Sequence, residues 1–131
     1  MTKPVTFLNT LLCEHVVPGL GNKNTLINVL AGDVVVSEFP ARLLFGFYTE
    51  YISHVPSGKV RIEINMDRKL FAHVDAEFKD TKVGTPGAIA VPVMEFGIDR
   101  DIELTFVAKI DGARAQTILK RRVYAKTTST D

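Results

Sequence analysis

Apolar and polar residues alternate with period two over much of the chain. Across residues 59–66, Val60, Ile62, Ile64 and Met66 fall on one side, and Lys59, Arg61, Glu63 and Asn65 fall on the other. Across 69–78, Leu70, Ala72, Val74, Ala76 and Phe78 oppose Lys69, Phe71, His73, Asp75 and Glu77. Across 101–110, Ile102, Leu104, Phe106, Ala108 and Ile110 line one face. Successive side chains on a strand point to opposite faces, whereas a helix needs a spacing of about 3.6 residues. One-sided alternation is what an antiparallel sheet with one wet face requires.

Turn chemistry separates these runs. Asp111-Gly112 predicts a hairpin, because a two-residue type I′ turn needs positive φ at both central positions, and the last strand then covers 113–124. Met66-Asp67-Arg68-Lys69 reads as a tight turn, and Pro56-Ser57-Gly58 and Thr85-Pro86-Gly87 break the chain before new strands. Residues 5–17, 25–30 and 34–36 supply the first strands. Residues 42–52 are apolar on both faces, with Leu43, Phe45, Phe47 and Tyr51 against Leu44, Tyr48 and Ile52. Such a strand is central and covered, or it contributes to an interface. Residues 88–95 form another strand, with Pro92 placing it at an edge or a bulge. About eight strands with frequent turns predict an all-β chain, an antiparallel two-sheet sandwich. It forms one domain over 1–125, followed by a polar tail at 126–131.

Composition narrows the function classes. The 131 residues hold 16 Lys plus Arg against 15 Asp plus Glu, for a net charge of +1. That balance argues against nucleic acid as a partner, and it leaves little repulsion between copies of the chain. Cys13 is the one cysteine, so no intrachain disulfide forms. Residues 1–12 do not read as a signal peptide: Pro4, Thr6, Asn9 and Thr10 interrupt the apolar stretch. Leu12 stands where a lipoprotein cleavage site before Cys13 needs a small residue. No apolar run reaches bilayer-spanning length. These features predict a cytoplasmic protein, or one held within a virion-like assembly, with no membrane partner.

Candidate chemistry is sparse. Cys13 and His15, with Glu14 between them, are spaced for a nucleophile pair or half a metal site, but a lone cysteine more often packs as a small hydrophobe. Asp33, Asp67, Asp80, Asp99 and Asp101 fall near turns, where calcium ligands gather. Aspartate also favours turns simply by bonding nearby backbone amides. Gly19-Leu20-Gly21-Asn22-Lys23-Asn24 lacks the third glycine and the helix of a dinucleotide fingerprint and reads as a turn. Lys120-Arg121-Arg122 is split by the strand period, with Arg121 opposite its neighbours. Its charges read as protection of an edge strand.

The N-terminal third carries a resemblance. A strand ending in Leu12-Cys13-Glu14, a Gly-containing loop, Asn24-Thr25-Leu26-Ile27-Asn28-Val29 and then Phe39-Pro40 resembles a family of short bacterial and phage-borne proteins of unknown function. The resemblance implies a β-sandwich of immunoglobulin-like or C2-like character, and it carries over no catalytic residue.

The remaining lead is apolar. Phe71, beside His73, falls on a polar face, Tyr48 and Ile52 fall on the second face of their strand, and Ile118 and Tyr124 on the less apolar face of the last one. If these six converge they form a protein-binding patch; otherwise a layer such as residues 31–40 covers them. The expectation is a non-enzymatic protein-interaction or assembly module without a cofactor or metal, self-associating or part of a larger, phage-like assembly. The alternative is a ligand-binding sandwich for calcium, carbohydrate or nucleic acid. An enzyme built on Cys13, Glu14 and His15 ranks last.

Overall fold

Every alternating segment forms a strand. The computed structural model describes residues 4–21, 23–111 and 113–126. Asn22 of the glycine-rich stretch, Gly112 of the expected Asp-Gly turn, and residues 127–131 of the polar tail lie outside them. Nine strands follow in order: β1 (Val5–Pro18), β2 (Asn24–Leu30), β3 (Val34–Val36), β4 (Ala41–Ser53), β5 (Gly58–Met66), β6 (Lys69–Phe78), β7 (Pro86–Ile98), β8 (Ile102–Ile110) and β9 (Gln116–Ala125). β9 starts three residues later than the alternation suggests. The Ala113 amide donates to the Ile110 carbonyl at 2.9 Å, so the chain turns there before pairing resumes.

Two sheets pack face to face, as the sandwich reading requires. One has the strand order β2-β1-β4-β7 and the other β3-β9-β8-β5-β6. All neighbours are antiparallel except β3 and β9, which run parallel. β2 and β3 belong to different sheets, so the short link at Gly32 carries the chain across the sandwich, where β3 covers β9.

The core is built from the inward residues of both sheets. Phe47 of β4 stacks on Phe106 of β8, with centroids 4.8 Å apart and rings nearly parallel, so the centre of each sheet meets the other through one aromatic pair. Leu12, Ile62, Ile64, Leu104 and Val123 fill the space around it. Phe45 and Phe96 extend this core along β4 and β7. The connection through residues 31–40 adds Val36 and Phe39 to the core.

Four bulges break the alternation, and two of them correct the sequence reading. Between β5 and β6, Ile64 pairs with Ala72, but the next residue, Asn65, pairs with Leu70. Phe71 is the extra residue. One inserted residue reverses which side chains face inward. Phe71 therefore turns to Phe96, with centroids 4.7 Å apart, and Leu70 faces out, 57% exposed. Ile118 is the extra residue between β8 and β9, and it packs against the core instead of lying on the outer face. The other two bulges lie in β1, between Phe7 and Thr10, and in β7, at Pro92 and Val93.

Each free edge is interrupted or short. β7 carries Pro92 and its bulge. β6 carries the Phe71 bulge and a charged outer face. β2 is kinked at Asn28, whose φ is 51°. β3 has three residues and pairs with β9 only at Val123–Ala125, and the rest of that side of β9 carries Lys120, Arg121 and Arg122. These are the devices that stop sheets from pairing edge to edge.

Candidate interaction surfaces

The six residues singled out in the sequence do not converge. Tyr48 and Ile52 share the outer face of the four-stranded sheet. His73 and Tyr124 lie on the outer face of the other sheet, separated by β8 and β5. Phe71 and Ile118 point toward the interior. No single patch gathers all six.

The outer face of the five-stranded sheet is laced with ion pairs. Arg61 of β5 donates to both carboxylate oxygens of Asp75, at 2.8 and 3.2 Å. This contact holds the Asp75 carboxyl below the usual carboxylate range. His73 Nε2 lies 3.5 Å from the same carboxylate. Lys109 reaches Glu63 at 2.9 Å, Lys120 reaches Glu103 at 3.4 Å, and Arg122 reaches Asp101 at 3.3 Å. The Arg122 guanidinium also sits 4.7 Å from the Tyr124 ring centroid. The basic run in β9 is tied into this network. β3 pairs with β9 only at Val123–Ala125, so Lys120–Arg122 stand just before the covered stretch, where β9 has β8 alone as a strand partner. Lys120 and Arg122 face carboxylates, while Arg121 turns inward opposite Leu104. An open recess of about 850 Å³ near this face is walled by Lys59, Arg61 and Lys109 against Asp75, Glu77 and Asp111. Charges of both signs line it and no aromatic ring does.

The outer face of the four-stranded sheet is different. Leu11, Tyr48 and Ala90 form one row across β1, β4 and β7. Leu44 is 54% exposed, and Leu8, Val29 and Val93 are each nearly half exposed. Among the described residues the one ion pair across this face is Arg42 with Glu95, near one end. Glu50 accepts a hydrogen bond from Asn9 Nδ2 at 3.0 Å. Burial, with Glu50 alongside, raises the Tyr48 pKa.

Sequence reasoning missed Gly46, which shapes this face. Its neighbours Phe45 and Phe47 point inward, so its absent side chain points outward. A Cβ there would lie 2.8 Å from the Pro92 carbonyl oxygen, 2.9 Å from the Val16 nitrogen and 3.0 Å from Cys13 Sγ. β1 and the β7 bulge therefore close over β4 at this point. Cys13 and Val16 are buried there, outside the main core cluster.

Cys13 is packed, as a small hydrophobe would be. Burial pushes its thiol pKa up, against weaker hydrogen bonds from the His15 and Ile27 backbone. The His15 side chain is exposed, so the two do not form a paired site. Four of the five loop aspartates have local partners for their carboxylates, and Asp80 bonds through its backbone amide, to Ser57 Oγ at 3.4 Å. Asp33 Oδ1 accepts the Arg122 amide at 3.1 Å, Asp67 Oδ1 accepts the Glu103 amide at 2.8 Å, and Asp99 and Asp101 pair with Arg100 and Arg122. Among the described residues, no three His, Cys, Asp or Glu side chains are placed to hold one metal ion. No helix among them is long and apolar enough to cross a membrane. In comparison with known proteins, no family model and no curated protein matches the chain.

Proposed function

We propose that this chain is a protein-contact module that does no catalysis of its own and works through the outer face of its four-stranded sheet. The observation that carries this reading is the contrast between the two outer faces. One is occupied by ion pairs, while the other presents Leu8, Val29, Leu44 and Val93 around the Leu11–Tyr48–Ala90 row. Apolar side chains grouped on one face, with few charges among them, are the composition of a protein interface. The partner is another copy or a component of a larger assembly. The resemblance to bacterial and phage-borne proteins makes a phage-like particle one setting.

The test is a photo-crosslinking residue placed at Leu44, with a second placed at Lys109 on the opposite face as the control. In the native cell, position 44 gives discrete adducts and position 109 does not. Sedimentation of the purified chain over a range of concentrations then separates self-association from a different partner. Adducts at neither position, or equal adducts at both, overturn the reading.

A further inference from the structure

A second surface lies on the open side of the sandwich, where β6 and β7 are the neighbouring edges of the two sheets. The Phe71 bulge shapes it. Because Phe71 turns toward Phe96, its ring spans the gap between the sheets and is still 43% exposed. A groove of about 210 Å³ opens beside it, floored by Met66, Phe71, Ile98 and Ile102 and rimmed by Lys69, Asp99 and Arg100. Ligand pockets for whole small molecules usually run from about 300 Å³ upward. This groove has room for one large apolar side chain.

Charges of both signs meet at the rim, and one of them has no ion-pair partner among the described residues. Arg100 pairs with Asp99 at 3.2 Å and with Asp67 at 3.7 Å, so its two acidic neighbours are already engaged. Lys69 makes no ion pair among the described residues. Its position is fixed by the hairpin, since Lys69 pairs with Met66 and Asp67 exchanges hydrogen bonds with the Glu103 backbone at 2.8 and 3.0 Å. A cation held ready beside an apolar slot suits a group with an apolar body and one negative charge. Beyond the Pro92 bulge, residues 94–98 of β7 pair only with β4, so their outer side is free to receive a short extended segment.

We propose that this groove binds the C-terminus of another polypeptide. Its last side chain, large and apolar, lies on Phe71. Its terminal carboxylate meets Lys69, and the preceding few residues run along β7. This takes up the reading of the chain as a contact module but at a separate surface, so failure here leaves the four-stranded face untouched.

The probes are N-acetyl-Gly-Gly-Leu with a free carboxylate and the same peptide as its C-terminal amide, each titrated into isotopically labelled protein. The free acid is expected to shift the amide signals of Leu70, Phe71 and Gly97 and to bind at least about fivefold more tightly than the amide. Lys69→Glu, an exposed change that leaves the spectrum otherwise native, removes that preference, and Lys69→Arg retains it. Leucine side-chain binding with equal affinity for acid and amide overturns the proposal. So do an unchanged preference in Lys69→Glu, shifts confined to another surface, and no shifts at millimolar peptide.

Discussion

The two sheets share one core but solve their outer faces in opposite ways. On the five-stranded sheet, charged side chains pair across the strands, as with Arg61 and Asp75 or Lys109 and Glu63, and the exposed apolar residues Val35 and Leu70 lie on its edge strands. Exposed pairs of this kind contribute little stability, because water and salt screen them. Their effect is to keep that face hydrated. On the four-stranded sheet the outward positions are mostly apolar, and the sheet partly closes on itself at Gly46. A face that costs little to dehydrate is the one where contact with a partner gains most.

The largest effect should fall on both sheets together. Phe47→Ala removes the fully buried ring that stacks on Phe106, and a loss of about 3–5 kcal/mol is expected from chemical unfolding. Phe106→Ala should cost a similar amount, and the double variant less than the sum, since the two residues touch. Hydrogen exchange that shows only one sheet loosened would break the picture of a shared core.

Gly46→Ala addresses what is special to the four-stranded sheet. Its methyl group meets two backbone atoms under 3.0 Å, which cannot retreat as a side-chain tip can. A destabilisation of about 1–3 kcal/mol is expected, the range for overpacked sites. Gly97→Ala, on the same strand pair with open space around it, should leave the melting temperature unchanged. Equal effects at the two glycines would remove the closure at Gly46.

Two smaller tests concern the five-stranded sheet. The β5–β6 turn places Asp67 and Arg68 at φ of 49° and 70°, where side chains are disfavoured. Arg68→Gly should therefore raise stability by about 1 kcal/mol in a denaturant titration. The smallest effect is that of pH. Arg61 holds the Asp75 pKa below its unfolded value, so the stabilisation is complete above the unfolded carboxylate pKa. It is lost as pH falls through the depressed folded value. Thermal melts in that acid range should show a slight decline, weakened by salt and reduced in Arg61→Ala.

The sheets were legible in the sequence because period two survives over long stretches. Val60 to Met66 and Ile102 to Ile110 face as their alternation implies. The bulge at Pro92 was legible from its proline, but those at Phe71 and Ile118 were not, for a physical reason. At Leu70-Phe71 and at Ile118-Leu119 two apolar residues are adjacent, so either one satisfies an inward position. The pairing strand decides which one turns in, and the hydrophobic pattern carries no record of that choice. Such adjacent apolar pairs were the available signal. The role of Gly46 was hidden for a related reason, since its neighbours above it come from β1 and β7, distant in sequence. The split of Lys120, Arg121 and Arg122 was readable from period two, but the pairing of β3 with the end of β9 depended on a crossing between sheets.

The interrupted edges have a consequence for crowding. Backbone pairing spreads from copy to copy without regard to side chains, and it is how sheets grow into fibres. Here Pro92, Asn28 and the brevity of β3 deny it a long uninterrupted template. Copies packed densely, or tethered side by side in one particle, would stay discrete bodies. Whatever joins them must then be specified by side chains, and so can be retuned one substitution at a time.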